Sequence, residues 1–295
     1  MAGRGLRKEF RGNAVVDGIS LSLKAGEVTG FLGANGAGKT TAIRLLLGLI
    51  SGAGETTFLG RPLREWRNPA AVVGVVLGGV AGHPGHRVRW HLRMVAAGAG
   101  VPDSRVDEVL GLVGLAEAAT RRLSELSLGM SQRVGIAQAL LADPPIMILD
   151  EPANGLDPHS IRWLRELLLK LAAEGRAVLV SSHQLAEMEQ LADRVVVLAK
   201  GRVVAEVTVA ELAERSHGRV IVQSPHVEKL AGPVRELGAT FEAAEPGVAV
   251  VTGATRFQVG DLAAEHGVRL HGLHERPPSL EDFYLSVAQE EFRIS

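Results

Sequence analysis

Cysteine is absent from the 295 residues, which excludes a disulfide scaffold, a thiolate zinc site and a catalytic cysteine. An excess of one charge is lacking as well. The 32 Lys and Arg residues face 33 Asp and Glu, for a formal net charge of -1, so a strongly basic nucleic-acid surface is not expected. Long apolar runs are missing too. The longest, Ala70 to Gly82, falls short of the roughly 20 residues needed to cross a bilayer. The basic residues within Met1–Phe10 have no apolar segment behind them and do not read as a signal peptide. A soluble, intracellular chain is expected. Its 46% hydrophobic content suffices for at least one full core, in one large domain or one domain with a smaller appendage.

Strand and helix patterns alternate along the first two thirds. Ala14–Val16 and Ile19–Leu23 read as strand, Lys24–Glu27 as a turn, Val28–Leu32 as a short buried strand and Lys39–Leu49 as a helix. From Trp66 to about Leu140 the pattern is mostly helical, broken at Pro84, Pro102 and several glycines. Ile146–Leu149 and Ala177–Val180 flank a helical stretch, Ser160–Glu174, the βαβ order of a parallel sheet. A hairpin around Lys200-Gly201 closes the region. Beyond Ser216 the order is βαββαβ, which suits a small split-βαβ sandwich. A last helix is expected to start at Ser279, with Asp282 in its capping box.

Gly33-Ala34-Asn35-Gly36-Ala37-Gly38-Lys39-Thr40 fits a phosphate-binding loop placed between a buried strand and a helix. Its glycines let successive N–H groups turn toward phosphate oxygens, and the helix N-terminus adds partial positive charge. Lys39 can reach terminal phosphates, the Thr40 hydroxyl can ligate magnesium, and Thr41 extends the same turn. Ile146–Leu149 ends in Asp150 and Glu151. An apolar run ending in two carboxylates is ordinary by itself; beside Lys39 it supplies one group for a metal and one for water.

Three further segments select a family. Leu126-Ser127-Leu128-Gly129-Met130-Ser131-Gln132-Arg133 resembles the signature of the ATP-binding-cassette (ABC) ATPases, Asn154-Gly155-Leu156-Asp157 resembles their D-loop, and His183 their switch histidine. Read alone, His183 is a capping or core histidine; its place in the series gives it the other role. The resemblance covers residues 1 to about 215. It implies an α/β P-loop NTPase of the RecA-like type, a parallel sheet with an antiparallel β subdomain and a helical subdomain at about 66–140. A C-terminal α+β accessory domain at 216–295 completes the expectation.

The same resemblance implies ATP and Mg2+ as cofactors, with Thr40 and Asp150 at the metal, Glu151 at the attacking water and His183 at the γ-phosphate. Phe10 falls where the family stacks an aromatic on adenine, with core packing as the alternative. Two cassettes pack head to tail, so Ser127, Gly129 and Asp157 act across the interface of a homodimer. A separately encoded transmembrane permease is the implied partner, which places the chain on the inner face of the plasma membrane. The tail Ser279–Leu285 is similar to that of bacterial drug and antibiotic exporters. Importer cassettes and soluble cassettes acting on ribosomes or DNA are the alternatives; one cassette, no heptads and no net positive charge speak against the latter.

The sequence departs from the family in three places. The first glutamine of the chain is Gln132, and Gly78 stands where the family has a glutamine that touches magnesium. Leu128 replaces the first signature glycine and Met130 the signature glutamine. Finally, His83–Arg93 gathers three histidines and three arginines. Metal ligation would lack a carboxylate or thiolate companion there, so the stretch reads as a solvated basic face near anionic lipid.

Overall fold

A computed structural model describes residues 1–215, 219–276, 280–281 and 283–284. The chain divides into two compact units, Met1–Glu206 and Val207–Ser295.

The first unit opens with two long strands, β1 (Ala2–Phe10) and β2 (Asn13–Ser22), then β3 (Val28–Leu32), α1 (Lys39–Leu46), β4 (Ala53–Thr57) and β5 (Val73–Leu77). Three helices follow, α2 (Val88–Gly98), α3 (Ser104–Leu112) and α4 (Leu128–Leu140). Next come β6 (Ile146–Asp150), α5 (Pro158–Ala173), β7 (Ala177–Ser182), α6 (Leu185–Leu191), β8 (Arg194–Ala199) and β9 (Arg202–Thr208). One sheet has the order β5-β6-β7-β3-β8-β9, and β2-β1-β4 form a second, antiparallel one. From β5 through β8 the pairings of the first sheet are parallel.

β3, β6 and β7 are buried along their whole length. A parallel strand covered on both faces is mostly apolar, which is why Val28–Leu32, Ile146–Leu149 and Ala177–Val180 read as short apolar runs, with polar residues confined mainly to the strand ends. α1 contributes Ile43 and Leu46 to the same core as Phe31 and Phe58, each such side chain adding about 1.5–3 kcal/mol by burial. β8 and β9 turn through Lys200 (φ 46°) and Gly201 (φ 80°), the doubly left-handed turn that suits a two-residue hairpin.

Several expectations change. β1 and β4 are strands that the sequence reading does not include, and β5 is a sheet strand inside the stretch read as mostly helical. The three helices therefore lie within 88–140. His91 is not on a solvated face: it is buried among Val88, Leu92 and Ala96 of α2, and its Nε2 lies 3.0 Å from Gln138 Oε1. Arg89 and Arg93 pair with Asp107 and Asp103 at 3.0 and 3.1 Å, so α3 neutralises part of the basic stretch. Among the described residues no three His, Asp or Glu side chains gather as metal ligands, and no helix is long and apolar enough to cross a membrane.

The second unit holds α7 (Val209–Arg215), β10 (Arg219–Gln223), α8 (Ala231–Glu236), β11 (Thr240–Glu245), β12 (Val248–Thr252), α9 (Arg256–Glu265) and β13 (Gly272–Arg276). Its four strands pair antiparallel in the order β11-β12-β10-β13, the split-βαβ arrangement. Val220, Val222 and Val251 pack with Leu230, Val234 and Val259. The fourth strand, β13, begins at Gly272, and Val268 before it packs into this core. Ser216, Ser279, Asp282 and Leu285, named above as a boundary, a helix start, a capping residue and a tail end, lie outside the described residues.

Candidate nucleotide site

The loop 33–40 leaves the C-terminal end of β3, between β7 and β8, and runs into α1. This is the edge of a parallel sheet at which ligands collect. Two of its glycines are sterically required. A Cβ on Gly33 would stand 2.7 Å from Leu198 O, and one on Gly38, whose φ is +103°, 2.5 Å from Val15 O. Gly38 caps α1 without a side-chain hydrogen bond, leaving the first-turn N–H groups to point out of the helix end. Ala34, Asn35 and Gly36 are exposed while Ala37 is buried, and Thr41 is half-buried in the first turn.

Lys39 is 5% exposed. Its ammonium donates to Gly33 O at 2.6 Å and Ala34 O at 3.3 Å and lies 3.1 Å from Glu151 Oε1. Glu151 Oε2 is 2.9 Å from His183 Nδ1, so one carboxylate bridges a cation and an imidazole. The Thr40 hydroxyl donates to Asp150 Oδ2 at 2.7 Å. Ser181 donates to Asp150 Oδ1 at 2.6 Å and accepts the Glu151 N–H at 2.9 Å. The structure thus brings Lys39, Thr40, Asp150, Glu151 and His183 into one cluster. Such a set can bind a polyanion through N–H groups and an ammonium, present two hard oxygen donors, and offer a base with an imidazole beside it.

Sequence reasoning missed two members. Ser181 is one; two serines ending the apolar strand Ala177–Ser182 were the available signal. Glu187 is the other. It shares a small cavity of about 20 Å3 with Glu151, Ser181 and Arg165. Burial raises the Glu187 carboxyl pKa, with His183 and Arg165 opposing and Glu151 reinforcing the shift.

Phe10 ends β1 and is 48% exposed, with Lys8 Nζ 5.0 Å from its ring centroid. Gly78 follows β5, whose Leu77 sits opposite Asp150 in the parallel register. Its φ is +92° and nothing lies within 4 Å of a Cβ built there. The next residues clasp α4: Val80 N–H donates to Ser131 Oγ at 3.3 Å, and Gly79 and Val80 lie against Gly135.

Ser127, Gly129 and Asp157 form a second group. With Arg121, Arg133 and Ser160 they line an open cleft of about 360 Å3, and no residue of the loop 33–41 lines it. Ser127 caps α4 by accepting from Met130 N–H. Asp157 caps α5 by accepting from Ser160 N–H and Oγ, both at 2.9 Å, and these bonds hold its carboxyl below the usual range. Leu128 packs on the D-loop glycine: a Cβ on Gly155, φ +72°, would meet Leu128 Cδ2 at 2.5 Å. Burial lowers the Arg133 pKa, with Asp157 opposing.

Comparison with known proteins gives the family. The family model described as ABC transporter matches residues 16–154, and a domain of unknown function, DUF8746, matches residues 218–281. The chain is 35% identical over 300 residues to Nod factor export ATP-binding protein I of Rhizobium sp. (strain N33), covering 97% of this chain and 96% of that one. It is 33% identical over 293 residues to the bacitracin transport ATP-binding protein BcrA of Bacillus licheniformis, covering 96% and 95%. A solved ATP-binding subunit of an ABC transporter superposes with a TM-score of 0.66 at 28% identity, over 72% of this chain and 92% of that one. The chain belongs to the ABC transporter ATP-binding proteins and is an ATP-hydrolysing subunit of that family.

Proposed function

We propose that the chain drives export through a separately encoded membrane permease, working as a pair of identical cassettes that close head to tail on two ATP molecules. The observation that carries the reading is the convergence of Lys39 and His183 on Glu151 at the end of the parallel sheet, with Lys39 Nζ 3.1 Å from Glu151 Oε1 and His183 Nδ1 2.9 Å from Glu151 Oε2. Lys39 and the loop 33–41 hold the phosphates. Phe10, about half exposed, stacks on adenine. Glu151 orients the attacking water and accepts its proton, and His183 holds Glu151 in register with the γ-phosphate.

Thr40 and Asp150 offer the adjacent oxygen donors that a hard cation takes. Magnesium, when bound, supplies neutralisation of phosphate charge. Gly78 adds no ligand, so these two residues are the protein's share. Ser127, Gly129 and Asp157 lie on a cleft apart from the loop 33–41, which supports their use by a second copy. Export is supported by the two relatives above, named for export and transport, whose similarity runs along at least 96% of this chain. The unit from Val207 onward carries none of the residues named here and is assigned an accessory role. A chromatography and turnover assay tests the core of the proposal. Glu151→Gln is expected to stop hydrolysis and to accumulate an ATP-bound dimer; hydrolysis at the parent rate would overturn the assignment of the base.

A further inference from the structure

Asp150 and Glu151 are consecutive residues asked to do different things, and consecutive side chains on an extended strand point to opposite faces. The chain resolves this at the end of β6. Glu151 turns into the left-handed region, with φ +48°, a conformation that residues other than glycine hold only when their surroundings impose it. The turn brings its carboxylate back to Lys39 and His183, at 3.1 and 2.9 Å.

One side-chain atom fixes both residues. Ser181 is fully buried and stands opposite Asp150 in the parallel register of β6 and β7. Its hydroxyl proton goes to Asp150 Oδ1 at 2.6 Å, and its lone pair takes the Glu151 N–H at 2.9 Å. Asp150 Oδ2 is held by Thr40 at 2.7 Å, so the carboxylate is tied at both oxygens and cannot rotate. The Glu151 N–H, which the strained turn removes from the ladder, has its partner in the same hydroxyl. Among the described residues no other group hydrogen-bonds that N–H or Asp150 Oδ1.

We propose that Ser181 is a positioning residue for hydrolysis: its hydroxyl aims the metal-facing carboxylate of Asp150 and pins the backbone turn that presents Glu151. The proposal rests on the roles assigned above to those two carboxylates. A hydroxyl at this place does not touch nucleotide, so its loss acts on turnover and on the metal-dependent part of binding, leaving the phosphate cradle of residues 33–39 as it is.

The test uses the full chain, with Ser181→Ala, Ser181→Thr and Glu151→Gln made in parallel. Steady-state hydrolysis gives kcat and KM, and titration with a fluorescent ATP analogue is run in magnesium and in a chelator. Ser181→Ala is expected to lower kcat by about 10- to 100-fold, the usual effect of removing an outer partner of a metal ligand. Its affinity for the analogue in chelator is expected to match the parent, and the gain in affinity on adding magnesium to shrink. Ser181→Thr keeps the hydroxyl and is expected to recover most of kcat. Parental kcat in Ser181→Ala overturns the proposal. So does loss of chelator-phase binding in that variant, which marks a packing role, and so does a Ser181→Thr variant as slow as Ser181→Ala. Parental turnover in Glu151→Gln would remove the underlying reading of Glu151 itself; a slow Glu151→Gln beside a parental Ser181→Ala removes the serine alone.

Discussion

Lys39 has two anionic claims on it. In the structure its ammonium sits 3.1 Å from Glu151, with side-chain exposures of 5% and 18%, and the same ammonium is the one proposed to hold phosphate. Nucleotide must therefore take the cation from the carboxylate. Removing the carboxylate's charge, by Glu151→Gln, should tighten binding of ADP, a ligand that is not turned over. The gross attraction of such a pair is about 5 kcal/mol at an effective dielectric constant near 20. Most of it cancels, because the ammonium exchanges one anion for another. About 1 kcal/mol is left, the order of one net hydrogen bond, or roughly five-fold in Kd. Lys39→Met should weaken ADP by about 10- to 150-fold, the 1.5–3 kcal/mol of a hydrogen bond to a charged group. In the Lys39→Met background Glu151→Gln should lose its effect, since the competition is gone. Fluorescent-ADP titration of the four proteins closes the cycle. Equal or weaker ADP binding by Glu151→Gln, or the same gain with Lys39 absent, would refute the reasoning.

Asp157 titrates lower in the fold than in the open chain because Ser160 donates twice to its carboxylate. Its contribution is present above the unfolded value of about 3.9 and is lost as pH falls through the lower folded value. The gap in thermal stability between the parent and Asp157→Ala should therefore be widest near neutrality and narrow below about pH 4; a constant gap from neutral to acid would contradict it. Gly78→Gln meets open space but a φ of +92°, so urea unfolding should show a loss of about 1–2 kcal/mol. The magnesium dependence of hydrolysis should change in this variant while chelator-phase nucleotide affinity does not; an unaltered magnesium curve would count against it. A chain ending at Arg215 should still bind ADP, because none of the proposed nucleotide-site residues lies beyond it. A folded truncation that fails to bind would contradict the accessory assignment.

Much of the first unit is legible because its constraints are local. The loop 33–40 is a glycine pattern between a buried strand and a helix, and β6 and β7 are apolar on both faces for a reason visible in sequence. β1 is different. Only Gly3 and Leu6 among its residues are buried, so its strand character comes from pairing with β2 and β4, which no local pattern records. Five apolar residues at Val73–Leu77 fit a buried helix as well as a strand. His91 could have been read correctly: it falls at helical spacing with Val88, Leu92 and Ala96, the stripe that faces a core. Ser181 is legible only once β6 and β7 are known to be neighbours, because its partners are 30 and 31 residues away in the chain.

The backbone at position 78 bears on how this chain could change over generations. The family resemblance implies a glutamine at this position, where the chain has glycine. Its left-handed φ makes a side chain there costly unless the loop gives up its present path, and that path is held by the Val80 N–H on Ser131 Oγ. In this chain the loop meets α4 through its backbone, and any side chain at position 78 must be carried on that left-handed path.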